Sequence, residues 1–553
     1  MSEIENSQNG KLNIWLPFLF AVVLAGGMYV GSQLNPAPQL IIQTDGIDPA
    51  EFSKIGNGRI EDLLRFIEAR YVDEVNSDEL IEKAIGEIIS ELDPHSSYIP
   101  VSQVERINDE LEGNFDGVGI EFIILDDTIV VVAPIAGGPS EDAGILAGDK
   151  IVEINDSTAV GGETDVRELV NKLRGQAGSE VKVGVKRGKG KLVKSFKIKR
   201  EPIPIFSVDV GYMINENTGF IKVNRFSATT YREFMEEVEE LKEEGMEDLI
   251  VDLRQNPGGY LREATKMLSQ LFPDKGKLLV YTEGRTVRRN EYKSTGLTHF
   301  AIGKVAILID EGSASASEIV AGAVQDWDRG VVIGRRSFGK GLVQEQLDLN
   351  DGSALRLTVA RYFTPSDRLI QKSYDDKSAY SSDIINRYQG GELLNKDSIQ
   401  QSDTTQFFTK LEKRVVFGGG GITPDVFIPL DTTYLNDTYI SLRQVLPQYI
   451  YRYAKDNANL LKEIPLEKLR YDFVVDENML NDFMKFGEAN GAKVDLKDFD
   501  KIKDNVKLLL KARLARNLFK EDGFYTIWND SDEVVKAALG ALKKENPLAE
   551  YDE

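Results

Sequence analysis

The chain has 553 residues, 41% of them apolar and 28% charged, with no cysteine and only two histidines. Its length allows roughly two to four domains, and the lack of cysteine excludes a disulfide framework, a thiol nucleophile and thiolate-ligated zinc. A net charge of −23 argues against a nucleic-acid partner, because nothing would neutralise a phosphate backbone.

Taken in chain order, residues Leu12–Thr44 carry no charge, and Ile14–Gly31 within them is strongly apolar. At about 1.5 Å per residue such a run nearly crosses a hydrocarbon core, which predicts a transmembrane helix over residues 12–34. Lys11 is the only nearby basic residue and favours a cytoplasmic N-terminus over residues 1–11. The expectation is therefore a single-pass cell-membrane protein with an extracytoplasmic, periplasmic bulk. A cleaved signal peptide and a buried core helix are the rival readings of the same segment.

Asn35-Pro-Ala-Pro38 reads as a stiff linker. Residues 50–112 form an N-terminal helical region, from the helical spacing of Ile60, Leu63, Leu64 and Ile67 and of Leu80, Ile81, Ala84, Ile85 and Ile88. The polar, proline-containing run Leu92-Asp-Pro-His-Ser-Ser-Tyr98 breaks those helices. Residues 113–200 switch to short strands and glycine-rich turns with one helix before Leu173, and Glu201-Pro-Ile-Pro204 marks a boundary. From 205 to 365, strands at Gly219–Val223, Asp248–Leu253, Lys304–Ile309 and Val331–Ile333 alternate with helices at Tyr231–Glu244, Leu261–Leu271 and Ser315–Trp327. That alternation predicts an α/β layered core with parallel pairing. Residues 372–413 read as a polar surface insertion, and residues 431–553 as a helical extension.

With no cysteine and only His95 and His299, a lysine is the base available to any nucleophilic serine. Ser313, Ser315 and Ser317 compete at a turn from strand to helix, where a helix N-terminus offers free N–H groups. Ser315 stands three residues before Glu318, a capping-box spacing that by itself explains the pair as a helix start. Ser337-Phe-Gly-Lys-Gly341 supplies Lys340 between glycines, beside apolar Phe338, Leu342 and Val343. As a base at neutral pH its pKa must fall about three units, roughly 4 kcal/mol, which burial can provide. The segment does not meet the phosphate-loop pattern. Val251-Asp-Leu-Arg-Gln-Asn-Pro-Gly-Gly259 runs from a strand into a Gly-Gly turn whose amides could meet an oxyanion.

Together these three segments resemble the carboxyl-terminal processing peptidases, the tail-specific proteases of serine peptidase family S41, over roughly residues 50–430. The resemblance implies Ser315 as nucleophile, Lys340 as general base and Gln344 as the residue orienting the lysine. It implies an oxyanion hole from the amide of Ala316 with one from Gly258 or Gly259. It also implies an α+β multidomain chain: a crotonase/ClpP-like α/β protease core (201–430) interrupted by a PDZ domain (113–200). Asn114–Phe122 resembles the PDZ carboxylate-binding loop, making Phe115, Asp116, Gly117, Val118 and Gly119 the peptide-binding residues. Ala143–Asn155 resembles the core stretch of such a domain, and Arg174 stands where an arginine could couple a bound peptide to the active site.

The expected activity is that of a serine endopeptidase acting on extracytoplasmic proteins with apolar C-termini, through an acyl-enzyme and without cofactor or metal. Self-association and an activating adaptor stay open. The alternative is a non-catalytic PDZ scaffold, which an intact Ser315, Lys340 and Gln344 disfavours. His95, in a turn that resembles the family's Asp-Pro-His-Ser, reads as structural.

Overall fold

The computed structural model describes residues 58–125, 127–160, 166–188, 193–400 and 405–548. The expected transmembrane segment lies outside these residues, and among the described residues no helix is long and apolar enough to cross a membrane. Residues 58–75 and 285–287 fall in one compact unit and the remaining described residues in another. In the first, helix Arg59–Arg70 carries an exposed Glu61–Arg65 pair.

The second unit is built on a six-stranded sheet in the order Val208–Met213, Thr218–Val223, Asp248–Asp252, Val305–Ile309, Val331–Gly334, Val426–Phe427. The first pair is antiparallel and every later pair parallel. A parallel sheet must be covered on both faces, and alternate residues of each strand show how. Ile221, Val223, Leu249, Val251, Val305, Ile307 and Ile309 pack with helices Thr230–Glu243, Leu261–Leu271 and Ala316–Asp326. Phe220, Ile250, Ala306, Leu308, Val331 and Ile333 pack instead under Val534, Val535, Ala538, Ala541 and Leu542. The helix Glu533–Leu542 from the far C-terminal region thus completes the core of the six-stranded sheet rather than hanging beyond it. Its N-cap Asp532 pairs with Arg254 at 2.8 Å, and Lys304 Nζ donates to its last carbonyl, Leu542, and to that of Lys544 just beyond.

An antiparallel sheet stands beside this core. Ala354–Phe363 is its centre, flanked by Ser97–Ile99, Leu342–Asp348 and Leu278–Glu283. A bulge between Val343 and Gln344 re-aims the side chains at that point. Residues 113–204 form a separate strand-rich module with its own core of Val118, Ile129, Val131, Ile145, Ile151, Leu169, Val183 and Ile198. Its ends are stitched into a two-stranded ribbon, Asn114–Gly117 against Glu201–Pro204. Strand Ile120–Leu125 lies at one edge of the module's sheet, and among the described residues its one strand partner is Thr128–Pro134, which leaves backbone groups unpaired on its outer edge.

The C-terminal region is helical. Asp437–Asp456, Glu477–Ala489 and Leu496–Trp528 share a core of their own, the last helix interrupted at Lys520, whose φ is 57°. The expectation for residues 372–413 fails in one respect. Lys372, Tyr380, Arg387, Glu392 and Leu393 are buried, so this insertion, mostly exposed along its described residues, is anchored into the protein by a few side chains.

Candidate active site

The carboxyl ends of three adjacent strands place the three predicted segments side by side. Ser313, Ser315 and Ser317 follow Val305–Ile309, but only Ser315 is free for chemistry. Ser313 and Ser317 are fully buried, and their hydroxyls are donated to the carbonyls of Leu253 and Asn256 at 2.8 and 3.0 Å. Ser315 is half-buried, with φ 54° and ψ −111°, a costly conformation for a residue with a Cβ and one concentrated at functional turns.

Glu318 does more than cap the helix. It is fully buried, and four donors converge on its carboxylate. Oε2 accepts the amides of Ser315 and Lys340, both at 2.8 Å, and Oε1 accepts the Gly339 amide at 2.7 Å and the Ser337 hydroxyl at 2.5 Å. One side chain therefore ties the serine turn to the lysine loop. Tyr362 adds a second tie, its hydroxyl lying 3.0 Å from the Ser315 carbonyl and 2.5 Å from that of Lys340. Burial pushes the Glu318 carboxyl up to about 7 despite its four donors. The sequence shows the Ser-x-x-Glu spacing, but the other three donors come from residues 337–340, which no local pattern reveals.

Lys340 is half-buried, and its Nζ donates to Gln344 Oε1 at 3.0 Å. Burial, helped by the charge of Arg356, holds its pKa below the ordinary lysine range, the direction a base requires. Gln344 in turn donates from Nε2 to the carbonyl of His95. Among the described residues no hydrogen bond joins Lys340 Nζ to the Ser315 hydroxyl. His95 belongs to the turn 93–96, held by Asp93, whose buried carboxylate accepts the amides of His95 and Ser96, the Ser96 hydroxyl and the Thr358 hydroxyl. Burial and the nearby Lys340 charge pull the His95 imidazole down to about 4, so its ring is neutral at physiological pH.

The glycine turn closes the site. The Gly258 amide is donated to Asn256 Oδ1 at 2.9 Å, which removes it from the two candidate oxyanion donors. The Gly259 and Ala316 amides have no acceptor among the described hydrogen bonds. Both glycines have positive φ, 98° and 141°. A Cβ on Gly258 would lie 2.7 Å from the Ser315 Cβ and 2.8 Å from the Ala314 carbonyl oxygen. Gly258→Ala is therefore expected to displace the serine and lower turnover about a hundredfold. A folded variant, judged by thermal melting, with wild-type turnover would show that the two turns are not packed against each other.

In the strand-rich module the five loop residues divide. Phe115 lies under the Arg174 guanidinium, 4.4 Å from the ring centroid, and Asp116 accepts the Ala177 amide at 2.7 Å. Both belong to the stitching ribbon, as does Gly117. The amides of Val118 and Gly119 have no acceptor among the described hydrogen bonds, and they stand at the start of the open edge strand. Arg174 also faces Asp109 at 3.6 Å. Asp109 sits on helix Val101–Glu112, whose Glu112 accepts from the Tyr260 hydroxyl at 3.4 Å. Tyr260 directly follows Gly259.

Residues 217–376 match peptidase family S41 and residues 117–199 a PDZ domain, while residues 438–520 match a family of unknown function. A probable CtpA-like serine protease of Staphylococcus aureus (strain COL) is 33% identical over 372 residues, 66% of this chain and 73% of that protein. The carboxy-terminal processing protease CtpB of Bacillus subtilis (strain 168) is 35% identical over 368 residues, 64% of this chain and 75% of that protein. A solved photosystem II D1 C-terminal processing protease is 28% identical, covering 56% of this chain and 83% of its own, with a TM-score of 0.31.

Proposed function

Because the chain belongs to the carboxy-terminal processing proteases of peptidase family S41 and is a serine-type hydrolase, we propose that it cleaves extracytoplasmic proteins selected by their C-terminal tails, using Ser315 and Lys340. The observation that carries this reading is the shared carboxylate: Glu318 Oε2 accepts the amides of both residues.

In this mechanism neutral Lys340 takes the Ser315 proton as the hydroxyl attacks the scissile carbonyl. The Ala316 and Gly259 amides receive the oxyanion, being fixed in place before charge develops. Protonated Lys340 returns its proton to the leaving amine, and water then hydrolyses the acyl-enzyme. Gln344 holds the amine between these steps. The substrate's C-terminal carboxylate binds the Val118 and Gly119 amides while its chain extends along the open edge of Ile120–Leu125.

Arg174 links the two events. It bears on helix Val101–Glu112, which also holds Tyr260 beside the oxyanion turn. Arg174→Ala is expected to lower kcat/KM on a tailed substrate about tenfold, within the usual range of coupling between sites. Activity equal to wild type would remove the switch role. The whole reading is tested with one reporter protein bearing an apolar tail, its C-terminal carboxylate either free or amide-capped. Equal cleavage of both forms would sink tail recognition, and cleavage by a chain lacking the Lys340 amine would sink the dyad.

A further inference from the structure

The insertion at residues 372–413 faces the loop that carries Lys340. The Tyr380 hydroxyl lies 2.5 Å from His95 Nε2, and its ring meets those of His95 and Phe338 edge-on, with centroids 5.6 and 6.1 Å apart. Lys372 Nζ lies 3.8 Å from the Phe338 ring centroid and 4.3 Å from that of Tyr380, and bonds Asp383 at 2.9 Å. Arg387 donates to the carbonyls of Arg336 and Ser337 at 2.6 and 3.2 Å. Glu392 pairs with both Arg336 and Arg387. Residues 336–338 are thus gripped from the insertion side, two residues before the base.

One route from the insertion reaches the amine itself. A glutamine amide can point either end at a neighbour. Gln344 presents oxygen to Lys340 because its nitrogen is taken by the His95 carbonyl. A flipped amide would set two donors against the lysine. The position of that carbonyl rests on Asp93 at the His95 amide and on Tyr380 at the His95 ring. The ring is neutral well above its pKa of about 4, so the hydrogen bond to Tyr380 persists across physiological pH.

We propose that Tyr380 and His95 are positioning residues for the base: the insertion's tyrosine fixes the His95 turn, whose carbonyl orients Gln344 toward Lys340. This rests on the Ser315–Lys340 reading, so wild type and Lys340→Ala are measured first on a reporter with an apolar C-terminal tail. Tyr380→Phe removes only the hydroxyl. It is expected to lower kcat about tenfold with KM within twofold, at temperatures where melting shows it fully folded. His95→Ala should match it, and His95→Gln, which can still reach the hydroxyl, should recover most of the loss. In a Gln344→Ala background Tyr380→Phe should cost nothing further, because its route to the amine is already cut.

A merely structural tyrosine would lower stability but leave kcat and the coupling to Gln344 untouched. Wild-type kcat in folded Tyr380→Phe, or an undiminished loss in the Gln344→Ala background, would overturn the proposal while leaving the dyad standing. Activity in Lys340→Ala would overturn both.

Discussion

Lys340→Ala is expected to lower kcat/KM on a tailed reporter by about a thousandfold or more, the scale of a lost general base, and Lys340→Arg should do no better. Arginine keeps the positive charge but cannot give up its proton near neutral pH, so charge without basicity fails. Ser315→Ala should be equally inactive. Both lysine variants should fold, because among the described residues the hydrogen bond lost from the lysine amine is that to Gln344. Cleavage surviving in Lys340→Ala would assign the base elsewhere.

The pH profile should carry the same signature. Activity rises with pH as Lys340 loses its proton, and the rise is centred below the ordinary lysine range because burial and Arg356 disfavour the ammonium. Arg356→Gln removes a repelling charge, stabilises the ammonium and moves the rise to higher pH. Glu318 adds a second loss on the acid side. Its carboxyl takes up a proton near 7, and a protonated carboxyl cannot accept all four donors. A rise that stays in place in Arg356→Gln would mean that Lys340 is not the titrating base.

Truncation before Asp532 is expected to leave the protein unable to fold. The cut uncovers Phe220, Ile250, Ala306, Leu308, Val331 and Ile333 and removes the buried Val534, Val535, Ala538, Ala541, Leu542 and Leu548 that pack with them. At about 1.5–3 kcal/mol for each large side chain, the loss is on the order of 10 kcal/mol, comparable to the whole stability of a typical domain. It also takes from Arg254 one of its two carboxylate partners, leaving it with Asp252 alone. Insoluble expression, or a circular-dichroism melt with no cooperative transition, is the expected result. A milder form, Ala538→Asp, buries a charge in the same layer and should lower the melting temperature sharply. A soluble truncated chain with an unchanged melt would show the helix to be an appendage.

These two outcomes separate what the sequence makes legible from what it does not. The proposed nucleophile, the proposed base and the glycine turn are visible because each sits in a short segment whose local order matters to its chemistry. The capping spacing and the family resemblance already single out Ser315, and the structure adds the physical reason, since the hydroxyls of Ser313 and Ser317 are spent on carbonyls. Choosing Gly259 over Gly258 required seeing one amide taken by Asn256. Both are facts of packing. The helix Glu533–Leu542 and the insertion were harder still, since their partners lie from tens to hundreds of residues away. An apolar stripe on a helix predicts that something covers it, not that it is the back of an active-site sheet. Tyr380 and Arg387 looked like surface residues because polar, glycine-broken sequence usually is surface.

The ribbon that stitches the strand-rich module shut has an evolutionary reading. Its register sets Gly117 opposite Glu201, so the chain enters and leaves the module at a single point. For the host enzyme, an insertion attached this way has the entropy of a hairpin closure rather than of a long loop, whatever is carried between the two ends. The module is in that sense a cassette. A lineage can lengthen it, retune its groove or trade it for another reader without changing the span that the catalytic layers must bridge.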